Sequence, residues 1–129
     1  MTQVDQLGLD VPLLLMGERS DIPELMASLD VMVSPSAWGE GFPNVVGEAM
    51  SSAIPCVVTD VGDSAEIVGD TGVVVTVGDD SAMADAIVAL LKEQKRRVLL
   101  GQRARERVLT YYSIDTISEK YLNLYQRQE

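Results

Sequence analysis

Apolar residues along this chain recur at two spacings. Short apolar runs at Val11 to Met16, Val31 to Ser34, Cys56 to Thr59 and Gly72 to Val77 are bounded by glycine, proline or small polar residues, and each predicts a strand. Between them the spacing widens to that of a helix. Ile22 to Ser28 forms one short helical stretch, and Ser64 to Val68 another. In Asn44 to Ala53 the apolar positions Val45, Val46, Ala49, Met50 and Ala53 share one helical face. The order strand, helix, strand predicts an α/β fold, a Rossmann-like parallel sheet with helices on both faces. Beyond Gly78 the pattern becomes wholly helical. Asp80 is the expected cap of a helix through Lys92, with a buried stripe of Met83, Ile87, Leu90 and Leu91. A second helix, Gln94 to Leu109, carries Lys95, Arg96, Arg97, Arg103, Arg105 and Arg107, which are expected to form a solvated basic face. A third starts at Ser113 and runs toward Gln126, with Ile117, Tyr121, Leu124 and Tyr125 at helical spacing.

The segment Glu40 to Met50 carries the candidate chemistry. Val31 to Ser34 ends in Pro35-Ser36, and the loop that follows holds Gly39 and Gly41, which let a ligand approach the main chain. Asn44 is a favoured residue for a helix start. A loop leading from the carboxyl end of a parallel strand into a helix amino terminus is where open α/β sheets bind ligands. Free amides and the positive end of the helix dipole gather there, which suits a phosphate. Glu40 lies in the loop and Glu48 about one turn into the helix, so the two acids flank the amides. Sugar hydroxyls deprived of water need such acceptors. A glutamate early in a helix also complements the dipole without binding anything, and a Gly-Phe-Pro turn also serves chain reversal alone.

Composition narrows the partners. The 129 residues match the length of one domain, and 47% hydrophobic residues suffice for a core. With 20 acidic and 10 basic residues and no histidine, the formal net charge is −10, which disfavours nucleic acid and anionic membrane. No apolar run is long enough for a membrane span, and no charged start followed by an apolar core marks a signal peptide, so a cytoplasmic location is expected. Cys56 is the only cysteine and is expected to be a buried strand residue. The absence of histidine removes the usual zinc ligand and triad base, and Asp79-Asp80 is read as helix capping rather than a metal site.

Read as a string, E-G-F-P-N-V-V-G-E-A-M resembles the E-x7-E signature of retaining glycosyltransferases of the GT-B fold, the large group that uses nucleotide-diphosphate sugars. The resemblance extends through Leu15-Met16-Gly17-Glu18-Arg19-Ser20-Asp21-Ile22-Pro23-Glu24-Leu25 before it, and through Pro55-Cys56-Val57-Val58-Thr59-Asp60-Val61-Gly62-Asp63-Ser64-Ala65-Glu66-Ile67-Val68 and Thr71-Gly72-Val73-Val74-Val75 after it, covering about residues 7 to 125. It implies the carboxyl-terminal, donor-binding part of such an enzyme with a helical tail, working with an amino-terminal acceptor half. By the same resemblance Glu48 accepts from the ribose. Glu40 faces the donor sugar as the candidate catalytic residue, positioning the donor and stabilising charge, with Gly41, Phe42, Pro43, Asn44 and Val45 around the sugar and diphosphate. Arg19 and the turn through Ile22 lie where relatives hold the base, and the donor is a UDP- or GDP-linked sugar. No bound metal or other cofactor is implied; the helix dipole and basic side chains stabilise the leaving diphosphate. The full-length parent would build polysaccharide or glycolipid, in the cytoplasm or peripheral to the membrane.

The sequence departs from the family in places. The family's opening strand ending near Gly-Arg and the helix after Lys-Gly have no match before Leu7, so the isolated chain is expected to be inactive as an enzyme. Asp63 stands where many relatives have a second glycine, and Thr76-Val77 replaces a common pair of prolines. Without the family's first strands, Val11 to Met16 is expected either to pair with Val31 to Ser34 or to pair with a second copy in a homodimer. Two other readings stand beside glycosyl transfer: a catalytically inert nucleotide-binding or assembly fragment, and a sugar-nucleotide epimerase, which normally relies on histidine.

Overall fold

The computed structural model describes residues 3–9 and 12–127. Its elements run α1 (Gln3–Gln6), α2 (Ile22–Ala27), β1 (Met32–Ser34), α3 (Asn44–Ser51), β2 (Cys56–Thr59), α4 (Ser64–Val68), β3 (Val73–Val75), α5 (Asp80–Lys92), α6 (Gln94–Tyr111) and α7 (Ile114–Gln126). The three strands pair in parallel in the order β1-β2-β3, with Val33 opposite Val57 and Val58 opposite Val74. Every residue of β2 is buried, as a central parallel strand covered on both faces requires.

Alternation along β2 divides the core in two. Cys56 and Val58 point to a cluster with Met26, Met32, Val46, Ala49, Met50, Ile67, Val68, Ala104 and Val108, so α2, α3, α4 and α6 cover that face. Val57 points the other way, against Val75 and Leu90, with Met83, Ala86 and Ile87 of α5 packed beside them. Helices therefore lie on both faces, as the alternating pattern predicts.

Several expectations need correction. Val11 lies outside the described residues, but Pro12 to Met16 is not a strand: Leu14 and Leu15 are 76% and 72% exposed and make no ladder with β1. A strand exists only by pairing, and this segment meets no edge. The cap of α5 is Asp79 rather than Asp80, because its carboxylate reaches three residues forward to the Ala82 amide at 2.9 Å. Asn44 is the first helical residue of α3 rather than its cap; extended Pro43 precedes it and makes no side-chain cap bond. At the other end of the chain Ser113 caps α7 as its position predicts, accepting from the Thr116 amide at 3.2 Å.

Helix α3 ends earlier than its apolar pattern suggests, and the ending is specific. Ala53 adopts φ +60, the Ala53 amide donates to Met50 and the Ile54 amide donates to Ala49, both at 3.0 Å. Those two bonds make a Schellman motif with alanine where glycine is usual, at a conformational cost of about 1 kcal/mol.

The basic side of α6 is not merely a solvated face. Arg97 donates to the carbonyls of Leu90 and Leu91 at the end of α5. Arg105 donates to the carbonyl of Ser51 at the end of α3, and Arg107 to those of Glu66 and Ile67 at 2.7 and 2.8 Å near the end of α4. Three helix ends thus give their unpaired carbonyls, and the negative end of their dipoles, to guanidinium groups carried by one helix. Arg103 adds an ion pair to Asp70, while Arg96 pairs with Glu93, the residue that precedes its own helix.

Candidate functional site

The strand ends position a loop, and the loop positions the helix. β1 stops at Ser34, where the chain turns through Pro35 and Ser36. Buried Thr59, the last residue of β2, donates its hydroxyl to the Ser36 carbonyl at 2.5 Å and lies 3.3 Å from that of Ser34. Ser36 in turn donates its hydroxyl to Glu40 Oε1 at 2.6 Å. The next turn is braced from the turn after β2: the Asp63 amide donates to the Gly41 carbonyl at 3.1 Å. Gly62, at φ +54, sits so close that a Cβ there would lie 2.4 Å from the Glu40 carbonyl oxygen.

From Pro43 the chain enters α3, and its outward face carries Asn44, Gly47, Glu48, Ser51 and Ser52. These line a groove of about 440 Å³. Ile22, Pro23 and Met26 of α2 form one wall; Val108 and Tyr112 form the other, with Phe42 among the lining residues. Phe42 meets the Tyr112 ring edge-on at 5.5 Å between centroids, so the start of the tail helps shape the groove.

The groove gathers four of the residues read from the sequence: Ile22, Phe42, Asn44 and Glu48. Glu40, Gly41, Pro43, Val45 and Arg19 are not among its lining residues. Of the two acids, Glu48 lines this groove and Glu40 lies in the loop beside it. Glu48 takes its direction from α3, whereas Glu40 sits half-buried in the loop with one oxygen held by Ser36. Pro43 is buried under the turn. Arg19 forms an ion pair with Asp21, using Nε at 2.6 Å and a terminal nitrogen; this bond holds Arg19 above and Asp21 below their ordinary pKa values. The exposed pair lies on the turn before α2, which agrees with a solvated arginine there.

Ser36, Thr59, Gly62 and Tyr112 take part in this geometry but were not legible as site residues. The Ser36-to-Glu40 spacing was the only local hint, and nothing in a loop distinguishes it from chance. Among the described residues no group of three or more His, Cys, Asp or Glu could hold a metal ion, and no helix is long and apolar enough to cross a membrane.

Cys56 is buried, and loss of water pushes its thiol from about 9 up to about 12. The folded chain at pH 8 should leave it unmodified by a thiol reagent until denaturant is added. The unfolded thiol ionises at lower pH than the folded one, so the folded state binds more protons and this thiol's contribution to stability falls as pH rises above about 9. Rapid labelling of the native chain would contradict the burial.

Residues 2–93 match the model of the family described as Glycosyl transferases group 1. The chain belongs to that family. The N-acetyl-alpha-D-glucosaminyl L-malate synthase of Bacillus anthracis is 35% identical to this group 1 chain over 124 residues, covering 95% of the chain and 32% of the synthase. The lipopolysaccharide core biosynthesis mannosyltransferase LpsB of Rhizobium meliloti is 30% identical, covering 96% of the chain and 36% of LpsB. The chain thus spans about a third of the length of these curated relatives. Among solved structures, Anabaena HepE in complex with UDP superposes with a TM-score of 0.90 at 27% identity, over 97% of this chain and 35% of HepE. The carboxyl-terminal domain of a glycosyl transferase group 1 protein of Francisella tularensis, LpcC, superposes at 0.72 with 30% identity, over 86% of this chain and 59% of that domain. The chain has the parallel α/β architecture of a GT-B carboxyl-terminal domain, with a helical tail.

Proposed function

We propose that this chain is the donor-binding part of a retaining glycosyltransferase and that it holds a nucleotide-diphosphate sugar at the amino-terminal end of α3. The observation that carries the reading is Glu48, presented by α3 into the groove beside Ile22, Asn44 and Phe42, in a chain of the group 1 family. HepE, to which the chain is similar, was solved with UDP and with UDP-glucose, which favours a uridine donor. Family membership favours transfer over epimerisation.

In this reading the ribose hydroxyls donate to Glu48. The diphosphate lies against the first amides of α3, where the dipole offsets its charge. Glu40 faces the sugar from the neighbouring loop, positioning the donor and stabilising the positive charge that develops at the reacting carbon. Front-face attack then retains configuration, with the departing phosphate assisting deprotonation of the acceptor hydroxyl. The acceptor itself, a glycan or lipid, is bound by the acceptor half of the whole enzyme.

Trp38, 84% exposed and two residues before Glu40, provides the probe. Titration with UDP and GDP should give a saturable fluorescence change. Glu48→Gln should weaken that binding about tenfold or more, because hydrogen bonds to a charged acceptor contribute roughly 1.5–3 kcal/mol. Glu48 is exposed, so the variant's melting temperature should stay unchanged. No response from the wild-type chain at millimolar nucleotide would replace this reading with that of an inert fragment.

A further inference from the structure

Glu40 stands off the groove, and what holds it there is a two-step relay from the sheet. Thr59 at the end of β2 fixes the carbonyl of Ser36 at 2.5 Å, and Ser36 fixes Glu40 Oε1 at 2.6 Å. Thr59 is 4% exposed, so its hydroxyl has a fixed place in the core, and Ser36 and Glu40 are both half-buried. The first bond joins two elements, β2 and the loop after β1; the second, from Ser36, joins the start of that loop to its tip.

We propose that Ser36 is a positioning residue for Glu40: its hydroxyl aims the carboxylate at the donor sugar, and Thr59 sets the loop from which Ser36 acts. This rests on the reading of the chain as a donor-binding domain. The chemistry is direct. A loop carboxylate on a free side chain samples many rotamers, and a hydroxyl donating to one oxygen restricts it and leaves the other oxygen's direction defined. A sugar hydroxyl then meets an acceptor already in place. Nucleotide binding through Glu48 lies on a different element, so the relay should govern the sugar and not the nucleotide.

The test compares each diphosphate with its sugar ester on the whole 129-residue chain: UDP with UDP-glucose, and GDP with GDP-mannose. The wild type should bind one ester more tightly than its diphosphate. Ser36→Ala should weaken that ester about fivefold to tenfold and leave the diphosphate within about twofold. Ser36→Thr, which keeps the hydroxyl, should restore the difference, and Thr59→Val should reduce it in the same direction. The carbon-13 carboxyl resonance of Glu40, assigned by its loss in Glu40→Gln, should move in Ser36→Ala and return in Ser36→Thr. An unmoved resonance overturns the relay, as does an ester preference that survives Ser36→Ala. Equal weakening of ester and diphosphate with a lower melting temperature assigns Ser36 a structural role only and overturns the proposal. A wild-type chain that binds neither diphosphate nor ester defeats the donor reading itself, and the relay's role falls with it. That outcome is recognised because the wild type, rather than the variant, fails.

Discussion

Gly101→Ala should destabilise the chain by about 3 kcal/mol, although local reasoning gives the opposite sign. Gly101 lies inside α6, where alanine in place of glycine ordinarily stabilises a helix by roughly 1 kcal/mol. Sterics decide the matter. A Cβ on Gly101 would sit 2.0 Å from the carbonyl oxygen of Ala53 and 2.9 Å from its carbonyl carbon, and both are backbone atoms that no rotamer change can clear. The conflict is built by the end of α3: the left-handed Ala53 closes the Schellman motif and puts that carbonyl against α6. Relief requires the two helices to separate by more than roughly an ångström, which opens voids beside Met50, Ala104 and Val108. It also strains the Arg105 bond to Ser51. Urea unfolding is the measurement, and Gly47→Ala is the control. Gly47 is also helical, but its added Cβ would meet only Phe42 at 3.8 Å, an ordinary contact, so that variant should be neutral or slightly stabilised. Equal behaviour of the two variants would show that the α3–α6 contact yields easily.

The contrast between those glycines shows what could be read from the chain. The apolar pattern located β2, α4, α5 and α7 closely, because a strand buried on both faces leaves an unbroken apolar run and a helix leaves apolar residues at its own spacing. The expected stripe residues Leu91 of α5 and Tyr121, Leu124 and Tyr125 of α7 are nevertheless exposed. The Glu40 to Met50 segment was readable for a different reason: its residue types follow the order in which a strand end, loop and helix start meet a ligand. The pattern failed where structure depends on contacts far apart in sequence. Pro12 to Met16 has a strand's composition, yet composition says nothing about whether an edge is available. The arginines of α6 looked like surface charge because their partners, the carbonyls of Ser51, Glu66 and Ile67, lie some forty or more residues away. The site was legible in part for the same reason. Glu48 has its direction set by helical periodicity, so it reached the groove, whereas Glu40 has its direction set by Ser36 and the end of β2, which no spacing rule records.

Gly62→Ala should cost both stability and donor binding, and the second loss should be the more informative. At φ +54 an alanine pays about 1 kcal/mol for conformation alone. Its Cβ would also approach the carbonyl oxygens of Glu40 and Gly41 to 2.4 and 2.6 Å. Gly62 and the loop tip are on the surface, so the chain can relieve the clash by moving the loop away, at the loss of the bond from the Asp63 amide to Gly41. Together these amount to about 2–3 kcal/mol. The displaced loop is the one that bears Glu40 and leads into α3, so a donor that depends on it should bind at least about tenfold more weakly; misplacement by an ångström is enough for such losses. Gly78→Ala separates strain from collision. Gly78 has φ +80 and nothing within 4 Å of an added Cβ, so its variant bears the conformational strain without the clash and lies outside the loop. It should lose about 1 kcal/mol and keep its nucleotide response. If Gly62→Ala and Gly78→Ala were equally stable and bound nucleotide sugar equally well, the turn after β2 would not set the loop, and Glu40 would have to be positioned by Ser36 alone.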